Sequence, residues 1–181
     1  MTPIISVIGR KNSGKTSLLE RLIPALTRRG LRVGTLKHHH GGSFEADTPG
    51  KDSWRHARAG AVVSGVLARG KTALFLEHEE PMRPEEIVRF FTDRVDVVLT
   101  EGFAHAGFPL IEVIRGAHGG SPLSTGADRL LALVTDGEWH LGVPRFGPSE
   151  IETLADFLAL EICRETHAGR PTFLTTVSQN H

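Results

Sequence analysis

Hydrophobic positions in the first part of the chain form short apolar runs separated by one helical repeat. Residues 3–8 are apolar and mostly β-branched and stop at Gly9, as a buried strand does before a turn. Leucine and isoleucine then recur at helical spacing over residues 16–29, and Gly30 is typical of a helix end. A second apolar run over residues 31–37 completes a strand–helix–strand unit, which predicts a sheet that begins with parallel strands.

The rest of the chain continues this alternation after one polar interruption. Residues 38–49 have no period and are rich in turn residues, which predicts a loop. The pattern further predicts helices over 51–59, 84–93 and 149–163, hairpin strands over 61–67 and 72–77, and buried strands over 95–100, 111–115 and 130–135. These elements predict an α/β fold with a mainly parallel sheet flanked by helices and a β-hairpin extension. We expect one domain over 1–165 and a tail over 166–181.

Composition limits the classes of function. The single cysteine, Cys163, excludes an internal disulfide framework and fits a reducing compartment. No apolar run approaches the about 18 residues of a membrane span, and residues 1–10 lack the features of a signal peptide. We therefore expect a cytoplasmic protein that does not bind membranes. The net charge of zero argues against nucleic acid as a partner, but residues 1–60 carry +7, so this part should face an anion.

The most informative motif follows the first predicted strand. Residues 9–16 read G-R-K-N-S-G-K-T, a full match to the phosphate-loop pattern G-x-x-x-x-G-K-S/T. Glycines in such a loop let backbone N–H groups surround a phosphate chain at the start of the next helix. The motif therefore predicts a nucleoside triphosphate site on a P-loop NTPase-type fold. The predicted nucleotide-binding residues are Gly9, Arg10, Lys11, Asn12, Ser13, Gly14, Lys15, Thr16 and Ser17.

Two residues of this loop have specific roles in the prediction. Lys15 should reach the β and γ phosphates, and the Thr16 hydroxyl should ligate Mg²⁺. The strand over 95–100 resembles a Walker B strand, and only Glu101 lies at its carboxyl end, where the metal would bind. Asp96 lies at the start of that strand, so we predict a solvated structural residue there.

Two aspartates in the polar loop are further metal candidates, because loops after parallel strands converge on the phosphates. Asp47 is the better candidate for Mg²⁺ or for positioning the attacking water, whereas Asp52 has a second interpretation as an acidic residue at a helix start. The histidines at 38–40 suit Zn²⁺ or Ni²⁺ as metal ligands, or a phosphate as hydrogen-bond donors.

Recognition of the base cannot use the common guanine motif Asn-Lys-x-Asp, because the only asparagines are Asn12 and Asn180. Asp136 follows the predicted strand over 130–135 and offers a carboxylate to the amide edge of guanine. An ordinary turn after a strand is the alternative interpretation of this aspartate.

Seven segments together resemble the family of molybdopterin-guanine dinucleotide biosynthesis protein B, the MobB-like GTP-binding proteins. The resemblance extends over residues 3–163, and the phosphate loop is its least specific part. The segments are Gly9 to Thr16, Lys37 to His40, Asp47 to Ser53, Ala59 to Ala61, Leu99 to Phe103, Ile111 to Arg115 and Val134 to Asp136.

This resemblance implies a homodimer that binds GTP and Mg²⁺ and hydrolyses GTP slowly at most. It also implies a partner guanylyltransferase that joins GMP to molybdopterin, a small-molecule ligand of the pathway. Carried over to this chain, Asp47 and Glu101 lie near the metal and act with Lys15 in any hydrolysis, and Asp136 lies near the base. Leu110 departs from the basic residue expected in relatives, which leaves a contact with the pterin phosphate open.

Two other functions stay open on the sequence alone. One is a small-molecule kinase, although the acidic residues within 77–94 do not favour a basic lid over the phosphates. The other is a nickel or zinc insertion GTPase, suggested by the histidines at 38–40. The hairpin over 61–76 is the part of the sequence that itself hints at a dimer, because exposed strand edges invite pairing.

Overall fold

The computed structural model describes residues 2–39, 41, 44–116, 121–124 and 129–168. For residues 167 and 168 only the backbone is described. The chain divides into two compact units: one comprises the residues up to His38 and from Val88 onward, and the other spans His39–Ile87. The division into one domain over 1–165 and a tail over 166–181 stays a prediction.

The first unit contains a six-stranded sheet in the order β2-β5-β1-β6-β7-β8. Each pair of neighbouring strands is parallel, so the carboxyl ends of the strands share one edge of the sheet. This confirms the predicted parallel α/β fold. The strands are β1 (Ile4–Ile8), β2 (Val33–Lys37), β5 (Val97–Glu101), β6 (Leu110–Ile114), β7 (Leu130–Thr135) and β8 (Arg145–Phe146).

Two helices, α1 (Lys15–Arg28) and α4 (Ile151–Ala168), form the main core of this unit with the sheet. Leu22 of α1 and Leu158 of α4 are fully buried among strand residues such as Val7. A smaller cluster contains Val88 with Ile4 and Val98, two strand residues that alternate in position with those of the main core. Sequence periodicity therefore placed the buried positions of these elements correctly.

The second unit contains α2 (Asp52–Arg58), the strands β3 (Val63–Ala68) and β4 (Lys71–Leu76), and the first four residues of α3 (Pro84–Val88). β3 and β4 pair in antiparallel fashion and form a separate two-stranded sheet, which confirms the predicted hairpin. Large apolar side chains on and beside this hairpin are exposed; they are Val62, Val63, Val66, Leu67 and Leu74.

Three local features differ from the sequence prediction. The helix expected over 84–93 ends at Val88, where the Phe91 N–H donates to the Val88 carbonyl, and a 3₁₀ turn follows over Thr92–Arg94. Strand β8 was not predicted, since two residues carry no detectable period. Helix α4 continues to Ala168, three residues into the predicted tail. Residues 169–181 lie outside the described part. Among the described residues, no helix has the length and apolar character needed to cross a bilayer.

Candidate functional site

The loop after β1 is fitted tightly against β6. Gly9 has φ +148°, and a Cβ there would lie 2.5 Å from the Val113 carbonyl oxygen. Asn12 and Gly14 also have positive φ values, of 62° and 95°, so the loop curls before α1 begins at Lys15. Glycine is therefore required at position 9 of the motif, because a side chain there would clash with the backbone of the neighbouring strand.

Helix α1 begins at Lys15, where this loop ends. The first turn contains no acidic residue, so the positive end of the helix is not neutralised by its own side chains. The Lys15 ammonium donates to the carbonyl oxygens of Gly9 and Arg10, at 3.0 and 2.8 Å. The hydroxyl oxygen of Ser13 is buried and has no hydrogen-bond partner in the described part of the chain. The loop thus presents an ammonium group and an unsatisfied hydroxyl where the motif places phosphates.

Thr16 and Glu101, two of the predicted metal ligands, lie in contact. The Thr16 hydroxyl donates to Glu101 Oε2 at 3.0 Å, and Lys37 Nζ lies 3.5 Å from Glu101 Oε1. The Glu101 side chain is 16% exposed. Lys37 was not predicted as a site residue. Its contact with Glu101 follows from the sheet, because β2 and β5 are parallel neighbours and both end at these two residues, which the register pairs.

Asp47, the third predicted ligand, lies in the second unit. Its Oδ1 accepts a hydrogen bond from the Thr48 N–H at 2.7 Å. Its Oδ2 is buried, and none of the described residues donates to it. This oxygen suits a cation or a water. Asp52, by contrast, begins α2 and lies 3.8 Å from Arg55, in accord with its interpretation as a helix-start residue.

Asp136 lies at the carboxyl end of β7, on the same edge of the sheet as the loop. Its Oδ1 accepts a hydrogen bond from the Gly116 N–H at 2.6 Å, and its Oδ2 lies 3.9 Å from Arg115 Nη1. Arg115 in turn lies beside Gly14 of the phosphate loop. Sequence reasoning missed Arg115 as a site residue, although its position directly after β6 was a usable signal.

A buried carboxylate supports the region beside the loop. Glu112 of β6 is 1% exposed and accepts hydrogen bonds from the N–H groups of Leu123 and Ser124, at 2.5 and 3.0 Å, and from the Ser124 hydroxyl. Arg10 donates to the Ser121 carbonyl oxygen at 3.3 Å. A small pocket lies here, lined by residues of the loop, β6 and this segment. Glu112 thus fixes residues 121–124 beside the phosphate loop.

The opposite edge of the sheet has a structural ion pair. The Asp96 carboxylate accepts hydrogen bonds from the N–H and guanidinium of Arg32, at 2.8 to 3.0 Å, and these bonds lower the pKa of Asp96. This pairing gives Asp96 a structural role before β5, and its predicted place outside the metal site stays a prediction.

The predicted histidine cluster is described only in part, because His40 lies outside the described residues. His38 packs on Phe103 with ring centroids 4.9 Å apart, and His39 packs on Phe44 at 5.2 Å. Among the described residues, no three His, Cys, Asp or Glu side chains are placed to hold a metal ion. His38 and His39 thus each pack against a phenylalanine ring.

The parallel sheet, the curled loop and the helix that follows it define a P-loop NTPase-like protein. Residues 4–136 match the family model described as molybdopterin guanine dinucleotide synthesis protein B. The chain belongs to this family, which confirms the resemblance stated from the sequence.

Curated relatives and solved structures agree with this assignment. The chain is 35% identical to the molybdopterin-guanine dinucleotide biosynthesis adapter protein of Escherichia coli over 162 residues, covering 87% of this chain and 92% of the relative. It is 32% identical to the Haemophilus influenzae adapter protein, with 86% and 87% covered. The Bacillus subtilis MobB structure is 30% identical, with a TM-score of 0.68 and coverage of 88% and 97%.

Proposed function

We propose that this protein binds GTP with Mg²⁺ at residues 9–17 and thereby serves molybdopterin guanine dinucleotide biosynthesis. Membership in the family supports an adapter role in that pathway. The observation that carries the nucleotide proposal is the 3.0 Å contact between the Thr16 hydroxyl and Glu101. It joins the helix start of a phosphate loop to the carboxyl end of a neighbouring parallel strand, the arrangement in which P-loop proteins hold a metal.

The oxygen atoms at the site fit Mg²⁺, which prefers hydroxyl, carboxylate and water ligands. Thr16 and Glu101 supply a hydroxyl and a carboxylate in direct contact. Asp47 of the second unit stays a predicted ligand; its Oδ2 is buried, and no described residue donates to it. Bound Mg²⁺ would neutralise phosphate charge. Lys15 would exchange its bonds to Gly9 and Arg10 for the β and γ phosphates.

We assign the base end of the site to Asp136. Its carboxylate is an acceptor with about four lone-pair positions, and it lies at the edge of the sheet that carries the phosphate loop. The amide edge of guanine supplies donors to such a group. Adenine places an acceptor there, which a carboxylate disfavours. The site therefore supports GTP over ATP, and with it the adapter function over the kinase alternative.

Binding and presentation of GTP, with slow hydrolysis at most, suit an adapter. Glu101 is engaged by the Thr16 hydroxyl and the Lys37 ammonium, which makes it a ligand rather than a base for the attacking water. Asp47 and Lys15 remain the proposed participants in residual hydrolysis. The GTP-loaded protein would act with a guanylyltransferase that joins GMP to molybdopterin, in the cytoplasm.

A homodimer is part of the proposal. The hairpin β3–β4 exposes apolar side chains along both strands, with Leu67 82% and Leu74 57% exposed. Monomers seldom keep such a patch in water, since covering it is favourable. A second copy of the hairpin offers the same apolar surface for a symmetric contact.

The test of the proposed function uses purified guanylyltransferase, molybdopterin and GTP with increasing amounts of this protein. We expect the rate of dinucleotide formation at low GTP to rise and then saturate. The Lys15→Ala variant should give no increase. If the wild-type protein at saturation does not change the rate, the proposed function is wrong. A clear preference for ATP over GTP in direct binding would support the kinase instead.

A further inference from the structure

Arg115 lies between the phosphate loop and the aspartate proposed to contact the base. Its Nη2 and Nε lie 3.2 and 3.4 Å from the place that a Cβ on Gly14 would occupy, and its Cζ lies 3.7 Å away. The Nε–Nη2 edge of the guanidinium therefore faces the loop. The third nitrogen, Nη1, lies 3.9 Å from Asp136 Oδ2. One planar side chain thus lies against both parts of the site.

The backbone next to Arg115 holds the other oxygen of the same carboxylate. The Gly116 N–H donates to Asp136 Oδ1 at 2.6 Å. A Cβ on Gly116 would lie 3.3 Å from Asp136 Oδ1, so the strand end approaches this carboxylate closely. Two consecutive residues after β6 therefore contact Asp136, Gly116 by a hydrogen bond to Oδ1 and Arg115 as an ion-pair partner of Oδ2. Such contacts restrict the rotation of a side chain that is 41% exposed.

We propose that Arg115 is a specificity-determining residue of the nucleotide site, which holds Asp136 in the orientation that accepts the amide edge of a guanine base. This inference rests on the proposed function. Arg115 is a positioning residue, because it acts on the base through Asp136. The fork of a guanidinium is rigid and always charged, so it can orient a carboxylate better than a flexible lysine can.

The proposal separates two contributions to nucleotide affinity. Phosphate binding by the loop is common to GTP and ATP, whereas the carboxylate of Asp136 favours the base that donates to it. If Arg115 acts only through Asp136, its removal lowers the affinity for GTP and leaves that for ATP unchanged. A guanidinium that bound the phosphates directly would affect both nucleotides equally.

A double-mutant cycle on the full chain tests this coupling. GTP and ATP affinities are measured by calorimetric titration for wild type, Arg115→Ala, Asp136→Ala and the double variant. We expect Arg115→Ala to weaken GTP binding about tenfold, which is about 1.4 kcal/mol, with ATP binding unchanged. The double variant should bind GTP no more weakly than Asp136→Ala alone, because each change removes the same interaction.

Other variants keep the test decisive. Arg129→Ala is a matched control, because Arg129 pairs with Glu165 before β7 begins. Arg115→Gln, checked by thermal unfolding, replaces Arg115→Ala if that variant does not fold. Equal loss of GTP and ATP affinity, additive effects in the cycle, or no GTP preference in the wild type would each overturn the role of Arg115. Lys15→Ala separates the two proposals: if it changes neither affinity, the phosphate-loop site itself is wrong.

Discussion

The hydroxyl of Thr16 donates a hydrogen bond to Glu101 Oε2 at 3.0 Å, although 85 residues separate them in sequence. The contact is possible because β1 and β5 are parallel neighbours, with Ile5 opposite Leu99. The turn into α1 after β1 and the end of β5 therefore meet at one edge of the sheet. The hydroxyl and the carboxylate that we propose as Mg²⁺ ligands are thus in contact within the first unit.

Replacing Thr16 with alanine should remove most of the Mg²⁺ dependence of GTP binding. The variant loses the hydroxyl ligand but keeps the loop backbone and Lys15. We expect GTP affinity in Mg²⁺ to fall about tenfold, or about 1.4 kcal/mol, and affinity in chelator to stay unchanged. Thr27→Ala is the matched control in the same helix, because the Thr27 hydroxyl donates only within α1, to the Ile23 carbonyl. An equal gain from Mg²⁺ in wild type and Thr16→Ala would refute the metal assignment.

Glu112→Ala should destabilise the first unit, because it leaves the N–H groups of Leu123 and Ser124 without their buried acceptor. The expected loss is about 1–3 kcal/mol in the free energy of unfolding. Urea titration measures it, and Glu20→Ala, on the exposed side of α1, should change stability little. Equal stability of Glu112→Ala and the control would mean that the segment over 121–124 does not depend on this carboxylate.

The α1–α4 contact should weaken in acid. Arg29 donates to Glu152 and Asp156, at 2.8 Å to each, and these bonds lower the pKa of both carboxyls. A lowered folded-state pKa gives a stabilisation that is present above the ordinary pKa near 4 and lost as pH falls through the folded value. Thermal unfolding from pH 7 to pH 3 should show the loss. In Arg29→Ala the decline over this range should be smaller, and an unchanged decline would contradict the assignment.

Leu67→Glu should shift the protein from dimer to monomer, because it places a charge on the exposed apolar hairpin. Light scattering at several protein concentrations measures the oligomeric state. Leu160→Glu, at a position of α4 that is 61% exposed, is the matched control and should leave the dimer intact. A wild-type protein that is monomeric at high concentration would exclude the dimer altogether.

The sequence predicted the parts of the fold that depend on long apolar patterns. Clear apolar patterns mark β1, α1 and β5. The positions of the phosphate loop between β1 and α1, and of Glu101 at the end of β5, could therefore be predicted from the spacing of residues in the sequence. The end of the helix predicted over 84–93 could not be located in this way. The helix ends at Val88, before a turn at Phe91, and no Gly or Pro marks this end in the sequence.

Partners across the sheet were harder to predict. The contacts of Lys37 and Arg115 depend on which strands are neighbours, and the strand order is a property of the whole sheet. In the sequence, Glu112 is a single polar position in an apolar strand. Its role is visible only in the structure, where residues 121–124 contact its carboxylate. These contacts join residues that are distant in sequence or depend on neighbouring contacts of that kind. Local periodicity therefore carries no information about them.

The most direct test of the central claim is the affinity of Mg²⁺-GTP for Lys15→Ala, compared with wild type and with Lys71→Ala in the hairpin. Loss of the ammonium group that we propose binds the phosphates should weaken binding at least tenfold, or about 1.4 kcal/mol. Lys71→Ala should bind as wild type does. If Lys15→Ala binds GTP with wild-type affinity, the loop over 9–16 is not the nucleotide site.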